Sequence, residues 1–158
     1  DLKQEIQSSV VGHDVDLLEI RRRLIGSPQV KNYYSENILK SGEIAHINDF
    51  LLLNDIRPDA ILEVQLHEKP FLVPLEYEAT RKYNSRYVEL FQKYYSNKTI
   101  PGVLYVCRDE ALLKRIGRIE KRTLEADKPK FYYSDFSKWK HGESCIFTNL
   151  KGSSITLK

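Results

Sequence analysis

Asp59, Glu76 and Glu78 are the residues whose type and spacing most invite chemistry. Asp59 follows Pro58 at the head of the apolar run Ala60-Ile-Leu-Glu-Val-Gln-Leu66, and the two glutamates stand two apart at the tail of a second run, Pro70-Phe-Leu-Val-Pro-Leu-Glu-Tyr-Glu78. Side chains alternate along a strand, so Glu76 and Glu78 share a face, and a hairpin between the runs brings Asp59 to them. Carboxylates on an apolar strand are costly unless solvated, paired or bound to a cation. A hard divalent ion, Mg2+ or Mn2+, is the simplest remedy, since Mg2+ takes only one or two carboxylates beside waters and a substrate phosphate. Ordinary ion pairs among Glu76, Glu78, Arg81 and Lys82 would explain the same spacing without chemistry.

The polar, Pro-ended break His67-Glu68-Lys69-Pro70 separates the two runs as a hairpin turn would. Upstream, Asp14–Ile25 reads as a helix with Val15, Leu18, Leu24 and Ile25 on its apolar side and Leu17 as a further candidate there, closed by Gly26-Ser27-Pro28, and Asp14 reads as its cap. Val30–Ser35 reads as a strand, Glu36–Ser41 as a helical turn or loop, and Asp49–Leu53 as a strand ending at Asn54-Asp55. Downstream, Ser85–Tyr95 has a helical apolar side, and Gly102–Cys107 reads as a strand buried on both faces. A helix over Asp109–Ala126, a strand from Lys130 and short strands within Glu143–Leu150 and Ile155–Leu157 complete the chain. A strand, helix, strand crossover implies an α/β fold with a central mixed β-sheet flanked by helices.

Pro58-Asp59, a strand ending Glu76-x-Glu78, and Lys82 together resemble the active-site signature of the PD-(D/E)XK nuclease superfamily, in a Glu-x-Glu form with the lysine displaced. The longer set His13-Asp14, Arg21, Arg57-Pro58-Asp59-Ala60, Glu76-x-Glu78, Lys82 and Arg86-Tyr87 resembles the MobC-type plasmid relaxases and related replication-relaxation proteins, over about His13 to Asp109. The resemblance implies a restriction-endonuclease-like core and a metal-dependent endonuclease that nicks one DNA strand at a plasmid transfer or replication origin during mobilisation. It further implies Asp59, Glu76 and Glu78 as metal ligands, with Glu78 alternatively a general base. Lys82 would steady charge on the attacked phosphate, and His13 would act as ligand or proton carrier. Its partners would be origin DNA, nicked or single-stranded, and other mobilisation proteins. The alternative is a nuclease-fold DNA-binding accessory protein of a mobile element that has lost turnover. A tyrosine relaxase built on a three-histidine metal cluster is disfavoured, because His13, His46, His67 and His141 are scattered.

The 158 residues suit a single domain, and the lack of any methionine, even at position 1, suggests that it is cut from a longer protein. Charge is divided: residues 1–80 hold 14 acids and 8 bases, residues 81–158 hold 8 acids and 17 bases. An acidic half for cations beside a basic half for phosphates fits a nuclease, and two solvated surfaces fit as well. Lys114, Arg115, Arg118, Lys121 and Arg122 fall along one helical stripe, a candidate backbone grip or a solvated face tempered by Glu120 and Glu125. Arg86, Tyr87, Tyr94 and Tyr95 offer cation and stacking groups for single-stranded DNA, or core packing. Cys107 and Cys145 lack zinc-finger spacing and read as buried free thiols. No apolar run is long enough for a membrane span and no signal peptide is evident, so a cytoplasmic setting is the expectation.

Overall fold

The runs on either side of Pro70 do pair: β2 (Ala60–Val64) and β3 (Phe71–Glu78) form an antiparallel hairpin with Ala60 opposite Leu75 and Val64 opposite Phe71. This computed structural model describes the backbone of residues 2–123 and 128–158, with side chains from Val11 onward. Ahead of the hairpin lie α1 (Leu2–Ile25), β1 (Val30–Ser35), α2 (Glu36–Ser41) and α3 (Ala45–Asn54). After it come α4 (Asn84–Ser96), β4 (Val103–Cys107), α5 (Glu110–Thr123), β5 (Phe131–Asp135) and a last hairpin, β6 (Cys145–Thr148) with β7 (Ser154–Leu157).

The seven strands make one mixed sheet in chain order. The strands of β1–β2–β3 and of β5–β6–β7 are antiparallel, while β3, β4 and β5 run parallel, linked through α4 and α5. The expected α/β class with helices flanking a mixed sheet is the fold adopted. β4 is buried along its whole length, as its unbroken apolar run requires when both faces are covered. On one face Leu62, Leu75 and Val106 pack under Ile20 and Leu24 of α1 and under Phe147 and Leu157 of the last hairpin. On the other, Tyr105, Phe131 and Tyr133 pack under Tyr87, Phe91 and Tyr94 of α4 and Ile116 and Ile119 of α5. Ile47 of α3 covers Tyr34 and Ile61 at the β1–β2 end.

Three expectations change. Residues 49–53 belong to helix α3 rather than a strand. The run Phe50-Leu-Leu-Leu53 satisfies either period, and burial of Ile47 and Asn54 with Phe50 and Leu51 partly covered is helical spacing. Asp55 ends α3 in the left-handed region at φ 46°, its N–H reaching the carbonyls of Leu51 and Leu52, so the Asn54-Asp55 stop was legible although the element was not. In α1 the buried side is Leu17, Ile20 and Leu24, while Val15, Leu18 and Ile25 are exposed; Asp14 lies well inside the helix and does not cap it. Both cysteines are buried and free. Residues 124–126 of the expected helix, Glu125 among them, lie outside the described residues. No described helix is long and apolar enough to cross a membrane.

Candidate active site

Asp59, Glu76 and Glu78 meet at one end of the strands because β2 begins where β3 ends. Extending the hairpin register one step beyond Ala60 and Leu75 sets Asp59 opposite Glu76. Asp59 then continues the ladder with its side chain, Oδ2 accepting the Tyr77 amide hydrogen at 2.7 Å. Glu76 points toward α4, where its Oε1 accepts the Tyr94 hydroxyl at 2.6 Å. Glu78 Oε2 lies 3.0 Å from Lys82 Nζ. The three acids share one open cavity of about 260 Å³ with His13, Arg57, Lys82 and Arg86, against the rings of Tyr87 and Tyr105.

His13 reaches this cavity over the end of the sheet from α1, which is tied down beside it. The Tyr77 hydroxyl donates to the Asp16 carboxylate, Arg108 Nη2 donates to the same oxygen at 3.1 Å, and the His13 ring lies 5.2 Å from that of Tyr77. Lys82 is placed by its backbone, whose N–H donates to the Tyr87 hydroxyl at 3.0 Å. Tyr87 in turn is fixed in the core of α4, so the turn carrying Lys82 rests on packed structure.

The carboxyls resist ionisation. Burial and then the neighbouring Asp59 charge push Glu76 up to about 8, although the Tyr94 hydroxyl opposes this. Burial also raises Asp59, against the Tyr77 amide and the charges of His13 and Lys82. Glu78 is raised by burial and pulled back by Lys82. Crowded acids that hold protons in the absence of a counter-charge are the electrostatic setting in which a cation binds favourably.

Among the described residues, no three His, Cys, Asp or Glu side chains are drawn together tightly enough to cage an ion by themselves. Asp59 and Glu76 nonetheless suit a hard cation: each has one oxygen engaged by a donor, and neither second oxygen has a hydrogen-bond partner among the described residues. One or two carboxylates are the protein share that Mg2+ ordinarily takes.

No family model, curated protein or solved structure matches this chain. Of the residues singled out from sequence, His13, Asp59, Glu76, Glu78, Lys82 and Arg86 converge on the cavity. The basic stripe of α5 does not. Lys114, Arg118, Lys121 and Arg122 are exposed along a helix that starts at the site end of β4 and runs away from it, and Lys114 is already paired with Glu110 at 2.9 Å. Only Arg115 turns toward the site, its Nη2 donating to Asn84 Oδ1.

The tyrosines proposed for stacking are not available for it. Tyr87 and Tyr94 are each 1% exposed, and Tyr95 donates its hydroxyl to Glu120. Glu120 itself is 0% exposed, held by Tyr95 at 2.6 Å and Tyr133 at 2.7 Å, so it does not temper the basic face. Tyr94 as the partner of Glu76 escaped sequence reasoning, although Tyr87, Phe91 and Tyr94 at helical spacing mark the buried side of α4 on which it lies.

The α5 stripe yields a bounded prediction. With Lys114 neutralised, Arg118 and Arg122 offer at most two phosphate contacts, so the combined change Lys114→Ala, Arg118→Ala, Arg122→Ala should lower the slope of log affinity against log salt by about 1 to 2 on duplex DNA. An unchanged slope in a fluorescence-polarisation titration would make this a solvated face.

Proposed function

We propose that this chain is a metal-dependent endonuclease that nicks one DNA strand, of the MobC-type relaxase kind that acts at a plasmid transfer or replication origin. The observation that carries the reading is the convergence of Asp59 and Glu76 across the hairpin in a cavity that also takes in Glu78, Lys82 and His13. With α2 and α3 inserted between β1 and β2, the order α1, β1, β2, β3, α4, β4, with β3 parallel to β4, is compatible with the helix, hairpin, strand, helix, strand order of a restriction-endonuclease-like core.

Asp59 and Glu76 would hold Mg2+ or Mn2+, which supplies neutralisation of phosphate charge and a more acidic water. Arg57 and Arg86 at the cavity wall hold the strand by its phosphates. Lys82, kept near Glu78, meets the charge that grows on the phosphate oxygens as a water oxygen bonds to phosphorus and the bond to one sugar oxygen breaks. With Asp59 and Glu76 assigned to the cation and Glu78 paired with Lys82, the proton released by the water goes to His13, and the departing sugar oxygen takes one from solvent.

Supercoiled plasmid carrying a transfer origin, incubated with protein and Mn2+, should convert to open circles. Asp59→Ala should reduce that conversion by at least about a hundred-fold, since loss of even outer-shell support costs metal sites about 10- to 100-fold. Intact supercoils with DNA binding retained would instead identify a nuclease-fold DNA-binding accessory protein.

A further inference from the structure

Two more hollows open onto the site. One, of about 370 Å³, shares Asp59 with the acidic cavity and is walled by Arg21 and Tyr33 together with Asp14 and Glu36, so its only cation is Arg21. The other, of about 760 Å³, shares Lys82 and is walled by Arg81, Tyr83, Asn84 and Arg115. The three hollows adjoin at Asp59 and at Lys82, and each flanking one has an arginine and a tyrosine in its wall. Resting on the nuclease reading, we propose that these adjoining hollows seat an unpaired DNA strand beside the acids, with the Tyr83 ring stacking on a base just beyond Lys82.

Charge supports a polyanion as the occupant. Arg21, Arg57, Arg81, Arg86 and Arg115 make no salt bridge among the described residues. Arg115 also leaves its Nε without a hydrogen-bond partner, an omission that a bound phosphate on the guanidinium would offset. The first turn of α4 opens into the same hollow with no side chain capping it; the Arg86 amide donates to the Tyr83 carbonyl, which leaves the Asn84 and Ser85 amides and the positive end of the helix to a phosphate.

The ring decides between one strand and two. Of the ten tyrosines Tyr83 alone is exposed, at 85%, and it stands among three cations. An aromatic held in water beside phosphate-binding groups gains by stacking on a base, and a base is free to stack only when it is out of the duplex. On the far side, Arg21 lies 6.0 Å from the centre of the Tyr33 ring, a second cation and aromatic pair in reach of the same strand.

The test is binding in EDTA, by fluorescence polarisation, with a short labelled single strand and its duplex. The wild-type chain should prefer the single strand. Tyr83→Ala should weaken single-strand binding by about five-fold or more, and Tyr83→Trp should restore it. Neither variant should alter duplex affinity or, given the exposure of the site, the circular dichroism spectrum. Equal affinity of Tyr83→Ala and wild type for the single strand, or a wild-type preference for duplex, would overturn the proposal. Because no cation is present, absence of plasmid nicking would sink the proposed reaction without touching this result, and a failed stacking test would leave the reaction standing.

Discussion

Glu76→Gln is expected to make the cation-free protein more stable at pH 8 while reducing cleavage by at least about a hundred-fold. Glu76 holds its proton up to about pH 8 in the fold, against 4.5 ordinarily, so the folded state binds more protons than the unfolded state between those values. Stability contributed by the neutral carboxyl is therefore fully present below about pH 4.5 and is lost as pH rises to about 8. Asp59 and Glu78 are raised in the same direction and reinforce that decline. Glutamine keeps an acceptor for the Tyr94 hydroxyl and removes the buried charge. A gain on the order of 2 to 4 kcal/mol at pH 8 follows, or roughly 5 to 10 °C in melting temperature, shrinking to near zero at pH 5. Saturating Mn2+ should raise the melting temperature of the wild type and hardly move the variant. Calorimetry at both pH values decides the matter: a variant no more stable at pH 8 would show that these acids do not crowd, and equal Mn2+ responses would place the ion elsewhere.

The acids themselves were legible because a hairpin is written in local pattern. Period-two alternation, a Pro-ended break and a Glu-x-Glu tail fix which side chains share a face, whatever the rest of the chain does. What surrounds them was less legible. Tyr94 meets Glu76 only because α4 returns across β3, a relation that no spacing within either element encodes. Of the two readings open to Tyr94, base stacking and core packing, its place on the buried side of α4 selects the core and makes it a donor to an acid as well. Glu120 shows the same limit, since nothing in its helix distinguishes a solvated glutamate from one held by Tyr95 and Tyr133 on neighbouring elements. In α1, apolar residues on both sides of the helix left two stripes to choose from, and packing chose Leu17, Ile20 and Leu24. α3 was misread because a short apolar run suits strand and helix alike. The α5 stripe is real as a pattern but does not reach the acidic cavity, for its direction depends on where β4 ends.

The cut strand should carry no protein. A relaxase that rejoins DNA preserves the bond energy in a protein–phosphate ester, which needs an activated nucleophile, whereas water made acidic by a cation leaves free ends. Every tyrosine in contact with the acidic cavity is poorly suited to attack. Tyr77, Tyr87 and Tyr105 have their hydroxyls held protonated, above all by burial, and Tyr94, which donates to Glu76, is likewise raised. Tyr83 is the accessible exception, yet its neighbours are Arg81, Lys82, Asn84, Ser85 and Arg115, among which there is no carboxylate or imidazole to take its proton. Labelled origin DNA incubated with protein and Mn2+, then denatured in detergent, should therefore run entirely as free nicked strand from both 5′ and 3′ labels. Tyr83→Phe should nick as the wild type does, because the ring and not the hydroxyl serves the strand. Label migrating with the protein would refute hydrolysis. If that label vanished in Tyr83→Phe, the exposed tyrosine would be the nucleophile; if it persisted, His13 would be the side chain to replace next.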